Sequence, residues 1–379
     1  MFSDNQRISG KQMKCQMILS LVGILLLFQA GEMAAGGVNS LLGMVIGLGL
    51  LILYLFFLVR VSAVYSNLER YFGCIGKWLI TAVYLSFLVL SGSYLLEKVS
   101  FVTERYLLSG VPLPVISAVF VLAACMGMGN EIQRRGRLAE LCFPWILVAL
   151  ILLLAFAAFH FHGLDFSLME PWSAVKVTEG VYRYFTMGTS VSLAAFLLSR
   201  VDKGNSEKSG GTFRSLTMGL IVVTLLLLAA AAVLLGVYGF RGIRNMEFPI
   251  LDLMAGTSLP GNFLKRFDIV WLAVLIFSLL FSLGSILFYG CWLTGRNGIR
   301  RDWSRLIMAG LIWLGSLIEW SGKTVSDIYS TVLQDIYAPV FLLITVLGLW
   351  AQKRFRNEKE RRDSKNERYE AEMPEKVSE

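Results

Sequence analysis

"SLVGILLLFQAGEMAAGG", Ser20 to Gly37, is apolar enough to lie in a lipid bilayer, yet it carries a glycine at Gly23, an amide at Gln29 and a carboxylate at Glu32. Glycine weakens a helix because it has the most backbone freedom to lose. Acids at membrane depth are rare and mark functional positions. A helix that only had to span lipid would gain from none of the three. The stretch therefore reads as a membrane helix interrupted at a site, provided the rest of the chain is a membrane protein.

The composition meets that condition. Of 379 residues, 56% are hydrophobic and only 16% charged, too few charges to cover a soluble domain of this size. Several apolar runs approach or exceed the ~20 residues needed to cross a ~30 Å hydrocarbon core. The fold class is an all-α polytopic membrane protein. Lys and Arg number 35 against 27 Asp and Glu, giving a net charge of +8. They gather between the apolar runs, where topology accounts for them better than nucleic acid does. Cys15, Cys74, Cys125, Cys142 and Cys291 lie in or beside apolar segments without CxxC spacing, and read as free, packed thiols. The polar start "MFSDNQRISGKQMK" leads to no small-residue cleavage site, so no cleaved signal peptide is expected.

Ten spans are expected, at 13–35, 40–60, 76–97, 112–130, 138–160, 177–199, 214–238, 268–293, 305–319 and 331–352. With the N-terminus in the cytoplasm, the inner connections carry about twice as many Lys and Arg as the outer ones, which places both termini inside. A cytoplasmic segment 1–12 precedes a first five-helix repeat, 13–161. A second repeat, 162–352, contains a long outer loop, 239–267. The charged tail 353–379 mixes both signs without an apolar stripe and reads as solvated, disordered or frayed helix.

Ten spans with both ends on one side suit two inverted halves, in which spans one and six correspond. Span six centres on "TMGTS", Thr186 to Ser190, with Gly188 in the middle as Gly23 is in span one. Glycine-interrupted spans at matching positions point to a transport-type binding site. Broken helices free N–H and C=O groups, tolerated at that depth only where they line a cavity. Freed N–H groups hold a carboxylate and freed carbonyls an ammonium, as a zwitterionic amino acid requires. The competing reading is that both glycines serve close helix packing. Glu32, near the outer end of span one, suits interfacial water as well as a site. In the outer loop, Pro249 suits the first turn of a short helix and Gly256 its end. Such a helix would lay Ile250, Leu251, Leu253 and Met254 over the mouth of the pocket, or in the lipid headgroups.

Enzyme chemistry finds no support. There are no paired acids at one depth and no HExxH. His160 and His162, two apart, do not share a helical face, so no metal and no cofactor are expected.

Three stretches carry a family resemblance: "FPILDLMAGTSLPGNFLKRFDIVWLAVLIFSLLFS" (Phe248–Ser282), with Phe248-Pro249, Arg266 and Trp271; "MGNEIQRRGRLAELCFPW" (Met128–Trp145), with Gly129, Glu131, Arg137, Glu140 and Pro144; and "GKWLITAVYLSFLVLSGSYLLE" (Gly76–Glu97). As a pattern over nearly the whole chain, the sequence resembles the B subunits of bacterial endospore germinant receptors, in the amino acid–polyamine–organocation transporter superfamily. The resemblance implies a ten-helix bundle with discontinuous first and sixth helices, sensing an amino acid or similar nutrient in a mid-membrane pocket. It implies assembly with a larger A subunit and a lipoprotein C subunit in the spore inner membrane. By the same resemblance the ligand-binding candidates are Gly23, Ile24, Leu25, Tyr84, Ser91, Thr186, Gly188, Thr189, Ser282 and Ser285. Tyr84 and Ser91, seven apart, share a helical face, where ordinary interhelical hydrogen bonding would also put them. Where many relatives carry Glu after the span-six glycine, this chain has Thr189. A secondary transporter for amino acids or polyamines in the cytoplasmic membrane is the alternative to a receptor subunit.

Overall fold

The computed structural model describes residues 7–25, 29–129, 131–159, 171–201, 210–246, 248–256, 267–295, 298, 300–318 and 323–372. They form thirteen α-helices: α1 Gly10–Ile24, α2 Ala30–Ala35, α3 Gly37–Ser66, α4 Leu68–Tyr106, α5 Leu113–Gly127, α6 Ile132–Ala158, α7 Ala174–Gly188, α8 Gly210–Ile243, α9 Pro249–Gly256, α10 Phe267–Gly295, α11 Arg301–Leu317, α12 Val325–Val332 and α13 Ala338–Glu372. A 3-10 segment, Thr189–Phe196, continues α7, and a π-type turn, Leu333–Tyr337, joins α12 to α13. Each expected span overlaps a helix. The charged tail, expected to be solvated, disordered or frayed helix, is helical to Glu372.

Six helices among the described residues are long and apolar enough to cross a membrane: 37–66, 68–106, 132–158, 211–243, 272–295 and 325–357. The remaining apolar helices are shorter, two of them because their spans are interrupted. Large apolar side chains point away from the protein on several helices, including Ile46 and Leu53 of α3, Leu122 and Met126 of α5, and Leu141 and Trp145 of α6. In water such faces would drive aggregation, whereas in lipid they are solvated. The chain is an integral, all-helical membrane protein.

Local sequence sets the helix limits. Ser9 accepts a hydrogen bond from the Gln12 N–H while the Gln12 side chain accepts from the Ser9 N–H, both at 3.2 Å, a capping box that starts α1. Gly73 and Gly239 take φ of 73° and 69° inside α4 and α8. Only glycine adopts this left-handed backbone without a steric penalty, so each helix turns sharply there, near the ends expected for spans three and seven.

One seam positions the site. A Cβ on Gly43 of α3 would lie 2.7 Å from the backbone of Gly180 on α7, and one on Gly47 would lie 2.9 Å from the Tyr184 ring. A Cβ on Gly188 would collide with Leu51. The pairs 43/180, 47/184 and 51/188 advance together in steps of four, so α3 and α7 run parallel along one small-residue stripe.

On the opposite flank Ile8 bridges Val201 and its N–H donates to the Arg200 carbonyl at 3.0 Å. Lys11 pairs with Glu140 of α6 at 2.7 Å, and Gln12 donates to the same carboxylate at 3.4 Å. These contacts tie the start of α1 to α6 and to the chain that follows the 3-10 segment.

Candidate functional site

The α1 helix ends at Ile24 and α2 begins at Ala30, with π-type turns at Leu25 and Gln29. The α-helical hydrogen-bond ladder of α7 likewise ends at Gly188 and gives way to eight residues of 3-10 helix. Runs of 3-10 helix beyond three or four residues are uncommon and mark hinges or strained sequence. Hydroxyls bond back to carbonyls around this change: Thr189 donates to the Thr186 carbonyl at 2.6 Å, Ser190 to Met187 at 3.0 Å and Thr186 to Arg183 at 2.9 Å.

Between the two interruptions lies a cavity of about 130 Å³. Met17, Ser20, Leu21, Ile24, Leu25 and Gln29 form one wall, and Phe87, Leu88 and Ser91 of α4 a second. Met187, Ser190, Val191 and Ala194 form a third, with Ser282, Ser285 and Tyr289 of α10 opposite and Tyr329 of α12 closing one end. The lining is apolar with scattered hydroxyls and one amide, the usual make-up of a small-ligand site. Its volume is close to the ~150 Å³ of a cavity that admits benzene, so the occupant is about the size of one amino acid. Gln29 is buried and among the described residues its Oε1 has no hydrogen-bond partner, leaving a free acceptor at the helix break.

The hydroxyls on α1 and α10 are interlocked. Ser20 Oγ lies 2.7 Å from Ser285 Oγ, and Ser282 donates to the Ser20 carbonyl at 2.9 Å. Ser91 Oγ lies 3.3 Å from the Tyr329 hydroxyl. Beyond Tyr329, Tyr94 faces a second chamber of about 290 Å³ beneath α9, which also holds Glu32, Lys98 and Arg244. Ile250, Leu251 and Leu253 of α9 are buried in the protein.

Of the residues expected from the sequence, Ile24, Leu25, Ser91, Ser282 and Ser285 line the cavity. The others stand behind its walls. A Cβ on Gly23 would approach Ser278 Oγ to 2.7 Å, which places this glycine in the α1–α10 contact while the helix continues through it. Gly188 meets Leu51, and Thr186 and Thr189 are buried with their hydroxyls on backbone carbonyls. Tyr84 is buried in an aromatic cluster, its hydroxyl 3.1 Å from that of Tyr65 and its ring stacked on Phe341 at 4.8 Å. Sequence reasoning passed over Ser20, Tyr289 and Tyr329, and it placed the Ser190 hydroxyl beside Gly188 without counting it among the ligand-binding candidates. Ser20 and Ser190 carried a signal, being polar residues next to the two helix interruptions.

Of the resemblance motifs, Phe248-Pro249 opens α9, while Arg266 lies outside the described residues, as do His160 and His162. All five cysteines are free; Cys74, expected to be packed, is exposed because it follows the turn at Gly73.

The fold has solved counterparts. It is similar to MhsT in complex with L-phenylalanine, with a TM-score of 0.69 at 14% identity over 91% of this chain and 90% of that one. It is similar to a Na+-coupled sialic acid symporter in a substrate-bound outward-open state, with a TM-score of 0.62 at 11% identity, covering 92% of this chain and 78% of that one. It is also similar to Mhp1, a nucleobase-cation-symport-1 family transporter with bromovinylhydantoin bound, with a TM-score of 0.58 at 13% identity over 88% and 78% of the two chains. At such identities the likeness is one of fold alone. In sequence the chain is 23% identical to spore germination protein YndE of Bacillus subtilis (strain 168), over 74% of this chain and 77% of that protein. It is 24% identical to spore germination protein A2 of the same strain, over 78% and 80%. Residues 7–324 match the spore germination protein family of permeases, and with the cavity lying where its transporter-like fold breaks two helices, the chain belongs to that family.

Proposed function

We propose that the protein is the nutrient-sensing subunit of a spore germination receptor, and that it holds a small amino acid in the cavity between the two helix interruptions. The carrying observation is that cavity: about 130 Å³, walled by both interruptions, apolar but edged with hydroxyls and the free Gln29 acceptor. Membership in the spore germination family supports the sensing role. The architecture proposed is ten crossings in two inverted five-helix halves, with both termini cytoplasmic. The partners proposed are an A subunit and a lipoprotein C subunit in the spore inner membrane. Gly23, Tyr84, Thr186, Gly188 and Thr189 then shape the walls, while Ile24, Leu25, Ser91, Ser282 and Ser285 touch the ligand.

Purified protein in nanodiscs should be stabilised against thermal unfolding by one or a few of the twenty L-amino acids, and a wall variant, Ala194→Phe, should lose that response while remaining folded. No stabilisation by any of the twenty would overturn the assignment. A second reading, secondary transport of amino acids or polyamines, is favoured by the likeness to three transporter structures. Accumulation of the stabilising amino acid in proteoliposomes containing this chain alone would select transport, and binding without accumulation would select sensing.

A further inference from the structure

Arg135 lies one turn into α6 and is only 3% exposed. Its Nη2 donates to the Phe281 carbonyl at 2.6 Å and to the Ser285 hydroxyl, and its Nη1 donates to the Met128 carbonyl at 3.4 Å. The guanidinium carbon stands 4.4 Å from the centre of the Phe281 ring. Gly284 leaves the space it occupies, since a Cβ there would come within 3.3 Å of Nη1. Among the described residues the Nε has no hydrogen-bond partner and no carboxylate pairs with the side chain.

A guanidinium withdrawn from water without a counter-ion is costly, and carbonyls and ring faces offset only part of that cost. Its route to the cavity is short. Ser285 Oγ accepts from Arg135, lies 3.0 Å from the Phe281 carbonyl to which it donates and 2.7 Å from Ser20 Oγ, and lines the cavity wall with Ser20, so a carboxylate there draws the Ser285 proton from the weaker carbonyl acceptor. A hydroxyl that accepts from a cation is polarised and becomes a better donor toward an anion. Among the described residues the cavity lining contains no charged side chain, and Arg135 brings a full charge up to this wall from behind.

We propose that Arg135 is a specificity-determining residue: acting through Ser285, it makes the cavity select ligands that bear a carboxylate, seated at the Ser20–Ser285 hydroxyl pair. It is a positioning residue, set one hydroxyl away from the ligand. The inference rests on the amino-acid reading above and extends it by assigning the end of the ligand that is recognised and the charge that recognises it.

The experiment measures binding to the protein in nanodiscs of the twenty L-amino acids and their α-amides, in which a neutral amide of similar size replaces the carboxylate. The acid of the best-bound pair should bind at least about tenfold tighter than its amide, the scale of a charge-assisted contact. In Arg135→Gln and in Ser285→Ala that ratio should fall close to one. Ser285→Ala covers the case in which Arg135→Gln fails to fold, and the wild-type ratio needs no variant. Equal binding of acid and amide by the wild type, or a ratio that survives in Ser285→Ala, overturns the role of Arg135 and leaves the amino-acid site standing. Absence of binding by acids and amides alike overturns both.

Discussion

The phenol rings of Tyr94 on α4 and Tyr329 on α12 stack with centroids 4.1 Å apart and an interplanar angle of 8°. Tyr94 lines the chamber beneath α9 and Tyr329 lines the cavity between the helix interruptions, so this pair is the partition between the two spaces. Such a stack contributes about 0.5–1.5 kcal/mol beyond the area it buries, little enough to open on binding timescales. Tyr94→Ala should therefore speed ligand association. It should also raise the labelling rate of a cysteine placed at Ser91, in a background without the native thiols, by several-fold. Unchanged labelling would mean that ligand reaches the cavity by another route.

The α3–α7 seam separates two kinds of glycine. At Gly43 an added side chain meets backbone, which cannot yield, and at Gly188 it meets the flexible end of Leu51. Gly43→Leu should abolish folded protein. Gly188→Ala should destabilise by about 1–3 kcal/mol, the usual penalty for overpacking. Adding Leu51→Ala to Gly188→Ala should recover most of that loss, measured as thermal midpoint in detergent. No recovery would show that the substitution acts on the 3-10 transition instead of on packing.

The Lys11–Glu140 pair holds the Lys11 ammonium above the ordinary lysine range, chiefly through its hydrogen bond to Glu140. A raised lysine stabilises the fold below its unfolded pKa, so the contact is intact at neutral pH and fades as pH rises through the folded value. Both partners are solvent-accessible, so Glu140→Gln should change stability only slightly, and the change should vanish at high salt. A large, salt-independent loss would reveal a structural role for Glu140 beyond this pair.

The excess of basic residues on one side predicts a cytoplasmic C-terminus. A cysteine at Ser378, in a background without Cys74 and the other native thiols, should stay unlabelled by an impermeant reagent applied to intact cells and should label after lysis. Labelling in intact cells would reverse the orientation and remove the case for an even number of crossings.

Much of this was legible before any coordinates. Pro249 and Gly256 bound α9 as their backbone preferences required, because a terminus is set by one or two residues. The interruption at Gly188 was legible for the same reason. Gly23 illustrates the limit. The α1 helix runs through it because the space it leaves is filled by Ser278, 255 positions further along the chain, and the ladder breaks at Leu25 instead. Tyr84 and Ser91 share a face by spacing, yet one enters an aromatic cluster and the other the cavity, since the neighbouring helices decide what that face meets. Arg135 read as a topogenic charge in a basic cluster, and its burial against α10 depends on the space at Gly284, which lies on a different helix.

The 3-10 segment Thr189–Phe196 also sets a length. A 3-10 helix rises about 2.0 Å per residue and an α-helix 1.5 Å, so rewinding these eight residues would shorten the strand by about 4 Å. One end is moored to α3 through Gly188 and Leu51, and the other leads within five residues to Val201 and its bridge to Ile8. Any occupant that relaxed the winding beside Ser190 and Ala194 to α-helix would therefore draw the N-terminal segment inward by a comparable distance. The segment is thus a drawn cord, with the cavity wall at one end and Ile8, ahead of α1, at the other.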